Sequence, residues 1–302
     1  MSALLDPGFA RELEALRRRM QVRARSGRGG DHIAKRRGSS AEFLEHRSYA
    51  PGDDLRRIDW LAFARTGEPV FKLFRAEEDV IVRLVVDASR SLDAGSSGSP
   101  PFGSLSGAPS KLLVAQKLAA AIGYMALASS ERAQVIAAGD GLTRVREPTR
   151  GRGSLAKLLR ELDEIAPLGG TDLTRAIDGV ALRSDRPGML VILSDFLDPG
   201  PFDGAITRAA AAGHDVALVQ VLSPEELAPS FEGDLALEDA ETGAIVEVTV
   251  DARAIEAYMA RLNALLLALR NVARKHRATY IRVATTEPLL AAIRRFVARA
   301  VD

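Results

Sequence analysis

Asp87, Ser89 and Ser91 stand in a D-x-S-x-S pattern at the end of the apolar run RLVVDAS. A carboxylate and two hydroxyls at i, i+2 and i+4 of a turn can converge on one small volume. Hard divalent cations such as Mg²⁺ and Mn²⁺ take oxygen ligands of this kind and keep water where the protein supplies too few. The same residue types also occur wherever a strand runs into a capped helix, so the triplet alone does not separate the two readings. Two further positions strengthen the cation reading. Thr171 follows Gly169-Gly170 at the start of a helical segment, and Asp195 follows Ser194 at the end of the apolar run GMLVILSDF. In open α/β sheets, ligands bind in the crevice beyond the carboxyl ends of the strands, which is where all three loops fall if both runs are parallel strands.

From Leu84 onward, short β-branched runs alternate with longer amphipathic stretches, the pattern of βα units around a parallel sheet. RLVVDAS and GMLVILSDF read as central strands, with HDVALVQVLS and TYIRVAT as further ones. KLLVAQKLAAAIGYMALASS, GSLAKLLRELDEI (with Ser154 as cap), TDLTRAIDGVALRS and GAITRAAAAG (stopped by Gly213) read as helices. AQVIAAGDG and LTRVREPT form two strands joined through a Gly-Asp-Gly turn, and LALEDAETGAIVEVTV a hairpin. A long helix from about Arg253 to Lys275 and a last one from about Pro288 close the chain. Residues 93–110, rich in Gly, Ser and Pro, read as a loop beside the site.

The composition narrows the function classes. The chain has 302 residues, 41 Lys+Arg against 40 Asp+Glu, and no cysteine. Absence of cysteine excludes disulfides, thiolate metal sites and a cysteine nucleophile, and suits a reducing compartment. The N-terminal residues lack an apolar signal core, and the apolar stretches, such as that around Leu118 to Ala128, are too short or interrupted to predict a membrane span. The expected address is the cytoplasm. Residues 11–37 hold a basic run without interleaved aromatics, which reads as a solvated helix and linker rather than a nucleic-acid surface. No phosphate-binding glycine motif, H-E-x-x-H or G-x-S-x-G occurs, and the four histidines (His32, His46, His214, His276) lack metal or triad spacing, so an enzyme is not expected.

Asp87-x-Ser89-x-Ser91 with Thr171 and Asp195 resembles the metal-ion-dependent adhesion site of von Willebrand factor A domains. The resemblance implies that the serine and threonine hydroxyls contact the cation, that the aspartates act directly or through water, and that an acidic partner side chain completes the coordination. A longer stretch lies upstream, HRSYAPGDDLRRIDWLAFARTGEPVFKLFRAEED. Its Arg47, Tyr49, Pro51, Gly52, Asp53, Asp54, Arg56, Asp59, Trp60, Ala64, Arg65, Lys72, Phe74 and Glu77 resemble the hallmark of the domain of unknown function 58 family, over roughly residues 38–250. Leu92 departs from the Met usual in that family, and the 93–110 loop is long. Read from the residues alone, Pro51-Gly52-Asp53-Asp54 is a turn, and the mixed charges with the single tryptophan could fasten the N-terminal segment to the main domain.

The resemblance implies an α/β fold, von Willebrand factor A-like (Rossmann-like), with a mainly parallel sheet flanked by helices over residues 80–302. Residues 1–79 would then be an N-terminal extension. It also implies a cation-dependent adaptor working with a MoxR-type AAA+ ATPase in chaperone-like assembly or maturation. The alternative from another class is a metal-dependent hydrolase in which Asp87 or Asp195 serves as base for a metal-bound water.

Overall fold

The structure is a computed structural model that describes residues 4–27, 41–49, 58–76, 80–93, 108–139, 142–167, 169–170, 172–181, 187–197, 202–230, 233–238 and 243–301. The chain divides into two compact units, Gly27–Asp79 and a larger one made of Met1–Ser26 with Val80–Asp302. The second stretch of the larger unit begins at Val80. The first 26 residues nevertheless join that larger unit instead of the segment that follows them. Their helix, α1 (Pro7–Gly27), begins next to Leu4 and Leu5, and these two leucines and Leu13 are buried in the main core. Burial of three leucines outweighs the polarity of the basic positions, so this helix is not simply solvated.

The smaller unit pairs β1 (Ala41–Ser48) antiparallel with β2 (Val70–Ala76) around α2 (Trp60–Thr66). Asp59 caps α2 by accepting from the Leu61 and Ala62 amides, and Gly67 at φ 73° closes it. Trp60 meets Phe63 edge to face within this unit and is exposed. Pro51-Gly52-Asp53-Asp54 lies outside the described residues.

In the larger unit the elements follow as β3 (Ile81–Asp87), α3 (Arg90–Asp93), α4 (Lys111–Ala128), β4 (Arg132–Gly139), β5 (Leu142–Val145), β6 (Thr149–Arg150), α5 (Leu155–Asp163), α6 (Leu173–Ala181) and β7 (Met189–Ser194). They continue with α7 (Phe202–Ala211), β8 (Asp215–Leu222), α8 (Pro224–Leu227), β9 (Gly233–Glu238), β10 (Ile245–Val250), α9 (Ala252–Lys275), β11 (Thr279–Ala284) and α10 (Leu289–Val301). The main sheet runs β11-β8-β7-β3-β4-β5, with β6 also on β4. The β11/β8, β8/β7, β7/β3 and β3/β4 pairs are parallel, and β5 and β6 pair antiparallel with β4. Strand order therefore reverses at β3/β7, the switch point of a doubly wound sheet.

Alternation along the strands builds the two faces. Val82, Leu84 and Val86 of β3, with Val191 and Leu193 of β7, pack under α4, α5, α10 and the start of α1. Val85, Leu190 and Ile192 point the other way, toward α6, α7 and α9. The sheet is thus covered on both sides, which is why its strands are continuously apolar. Helix α4 has the length and composition of a membrane-spanning segment, contrary to the expectation that no stretch reached that length, but it is mostly buried in this core. The hairpin expected after residue 233 is present as β9 and β10. Ser154 does not cap α5: its hydroxyl donates to the Arg150 carbonyl, because a 3-10 turn over Arg152–Ser154 leads into the helix.

Candidate metal site

Parallel pairing of β3 with β7 matches Val86 to Leu193, so Asp87 and Ser194 end neighbouring strands at the switch point. Ser194 Oγ donates to Asp87 Oδ2 at 2.6 Å, and the Ser89 amide donates to Asp87 Oδ1 at 2.9 Å. Ser89 and Ser91 hydroxyls lie 2.9 Å apart. Asp87, Ser89 and Ser194 are fully buried, Asp195 nearly so, and Ser91 half-buried. The sequence brings these groups together by a simple device. Two apolar strands side by side end at the same level, and the turn after β3 folds back as α3, with the fully buried Leu92 anchoring it in the core. Thr171 lies outside the described residues. The Arg90 amide donates to the Gly169 carbonyl at 2.9 Å, and Asp172 accepts from the Arg175 amide at the start of α6.

Two carboxylates in a buried space repel each other. Burial, and then the charge of Asp195, pushes Asp87 up to about 6, against the opposing hydrogen bonds from Ser194 and Ser89. Asp195 is met by a group that sequence reasoning missed. Lys111, the first residue of α4, is buried with its Nζ 2.6 Å from Asp195 Oδ2 and 2.6 Å from Glu226 Oε1 of α8. Burial works against the ammonium, but Asp195 and Glu226 outweigh it and hold Lys111 above the usual lysine value. Ser110 fixes the start of α4 by accepting from the Leu113 amide, and a capping box of Ser223 with Glu226 fixes α8. A lysine opening a helix after a Gly/Ser/Pro-rich loop carries no mark in the sequence that sets it apart from a solvated one.

The donor set of Asp87, Ser89, Ser91 and Asp195 is all oxygen, as Mg²⁺ or Mn²⁺ requires. Among the described residues no three His, Cys, Asp or Glu side chains converge on one point, so the site would rely on hydroxyls and water beside its two carboxylates. Asp195 and Glu226 share the ammonium of Lys111, and the charge of Asp195 also acts on Asp87. The residues fit a divalent ion in the chemistry of their donors. His214 and His276 are held elsewhere in the larger unit. His214 is buried against the Gly188 and Ala181 backbone, where burial lowers its pKa, and His276 ends α9.

Strand order, the helices on both faces and the acidic, hydroxyl-rich switch point define a doubly wound, mainly parallel α/β domain. Comparison with known families matches residues 45–265 to the family described as "Protein of unknown function DUF58", and the chain belongs to that family. It is 36% identical over 250 residues to the uncharacterized protein Rv1480 of Mycobacterium tuberculosis, covering 82% of this chain and 75% of that one. An uncharacterized protein of Mycobacterium avium, MAV169, is 41% identical over 116 residues, covering 37% of this chain and 67% of that one. Among solved structures, BatB from Bacteroides thetaiotaomicron aligns with a TM-score of 0.45 at 17% identity over 73% of this chain and 98% of that one. The von Willebrand factor A domain of SpRpn10 aligns with a TM-score of 0.38 at 10% identity over 71% of this chain and 93% of that one.

Proposed function

We propose that the chain is a non-enzymatic, cation-dependent adaptor that docks a protein partner at the switch-point site. The observation that carries this reading is the pair of buried carboxylates, Asp87 and Asp195, at the ends of adjacent strands beside two serine hydroxyls. Asp87, Ser89, Ser91, Thr171 and Asp195 would hold Mg²⁺ or Mn²⁺. A bound ion would supply a positive centre that attracts an acidic side chain, and in a partly desolvated interface that contact gains Coulomb energy and orientation. The family resemblance suggests a MoxR-type AAA+ ATPase as the partner, in the cytoplasm, during assembly or maturation of another complex.

The test is co-purification of the wild type and Asp87→Ala with such an ATPase, in Mg²⁺ and in chelator. Recovery only with the wild type in Mg²⁺ is expected. Equal recovery in all four conditions, or metal-stimulated phosphoester turnover lost in the variant, would overturn the reading.

A further inference from the structure

We propose that the cleft between the end of α9, the outer edge of β11 and α10 is a binding site for an anion carrying two or more linked phosphate groups. The cleft encloses about 560 Å³ and is lined by Arg270, Arg274 and Arg277 from the end of α9, Arg282 from β11, and Arg295 and Arg299 from α10. That volume lies within the range of about 300–1,000 Å³ typical of small-ligand sites. The chain as a whole is nearly neutral, with 41 basic against 40 acidic residues, so six arginines around one cavity are a local segregation of charge. Arg295 is held by Glu287, with Nη2 2.8 Å from Oε2. Among the described residues, no ion pair engages Arg270, Arg274, Arg277 or Arg282.

The bland account of such arginines is attraction to the negative end of a helix dipole. It covers Arg274 and Arg277 at the end of α9. It also covers Arg299 in the last turn of α10, but not Arg270 a turn earlier in α9, Arg282 on a strand, or Arg295 in the middle of α10. Arg277 adds a backbone observation, for it sits at φ 53° just after α9, in the left-handed region that favours glycine at a helix end. A side chain is kept there at a steric cost.

Three features narrow the ligand. Guanidinium groups present paired donors that match phosphate oxygens, and several groups from different elements suit a ligand with more than one phosphate. Strand addition to the edge of β11 is obstructed, because the outward carbonyls of Tyr280 and Arg282 already accept from Arg299 and Arg295. Base stacking has no platform, since the aromatic residue of the lining, Tyr280, is buried and its hydroxyl donates to Gln220 at 2.8 Å. Phosphate, and not a base or a peptide backbone, is therefore what the cleft recognises.

The test is calorimetric titration of the full chain with orthophosphate, pyrophosphate, tripolyphosphate and a single-stranded thymidine oligonucleotide. Low salt is used, and chelator is present to keep the switch-point site out of the measurement. Tripolyphosphate is expected to bind one to one, roughly tenfold or more tighter than orthophosphate, and to weaken steeply with added salt. Arg274→Ala with Arg277→Ala should lose about tenfold or more of that affinity, whereas removing the same charge in the first half of the helix, Arg253→Ala with Arg261→Ala, should change it less than about twofold. Glu287→Gln, which releases Arg295, should tighten binding. Absence of saturable binding, equal losses in the two double variants, or an oligonucleotide that binds tighter than tripolyphosphate would each overturn the assignment.

Discussion

Asp87→Asn removes a negative charge from a fully buried position while leaving an oxygen to accept from the Ser89 amide and an amide to pair with Ser194. In the folded chain this carboxyl is pushed up to about 6, from an ordinary value of 3.8. An unfolded chain releases the proton near 3.8, while the folded one keeps it until about 6. Below the lower value both states are protonated and the group costs nothing. As pH rises through the interval, stability is lost, and above about 6 the full penalty applies. Two pKa units correspond to a penalty on the order of 3 kcal/mol, in which the helpful hydrogen bonds are already counted because they pull the other way. Asparagine carries no such penalty. The variant should therefore match the wild type near pH 3.5 and exceed it at pH 8 in chelator, by several degrees in Tm for a unit of this size. Added Mg²⁺ should close the gap by stabilising only the wild type. Thermal and urea unfolding across that pH range, with and without Mg²⁺, make the comparison. A variant less stable than the wild type at pH 8 without cations, or a difference that does not change with pH, would refute the reasoning.

Lys111→Met leaves Asp195 and Glu226 buried without their ammonium, so it should destabilise the chain by about 3–5 kcal/mol at neutral pH in urea titrations, with part of the loss recovered in Mg²⁺. Ser194→Ala removes the hydroxyl that donates to Asp87 and should cost about 1–3 kcal/mol, while raising the Asp87 midpoint further in a pH titration of stability. Gly123→Ala in α4 would place its Cβ 2.5 Å from Leu158 Cδ2 and 3.1 Å from Leu84 Cδ1; unfolding measurements should show a net loss of about 1–3 kcal/mol despite alanine's better helix propensity.

Much of the sheet was legible because strands buried on both faces write themselves as unbroken apolar runs, as in Leu84 to Val86 and Leu190 to Leu193. Once β3 and β7 are placed side by side, the meeting of Asp87 with the Ser194-Asp195 turn follows from register. The counter-charge did not follow. Lys111 reaches Asp195 from 84 residues earlier in the chain, and Glu226 meets Lys111 from α8, so both depend on tertiary packing. Ser194 was visible only as a neighbour of Asp195, although its hydroxyl makes the shorter bond to Asp87. The first helix was misjudged because its charges are plain in the sequence, while the burial of Leu4, Leu5 and Leu13 depends on a core assembled far downstream. The arginine cleft was invisible for a similar reason, its six side chains being spread over three elements with ordinary spacing in each.

The central claim is that Asp87, Asp195 and the two serines hold a divalent cation, and Mn²⁺ binding followed by electron paramagnetic resonance tests it most directly. The wild type should take up one Mn²⁺ weakly, since hydroxyls and two carboxylates supply little negative charge, and Mg²⁺ should displace it. Asp87→Asn should abolish uptake while the fold persists, and Ser89→Ala with Ser91→Ala should weaken it. Uptake by Asp87→Asn equal to that of the wild type, or no uptake by the wild type at millimolar Mn²⁺, would contradict the account.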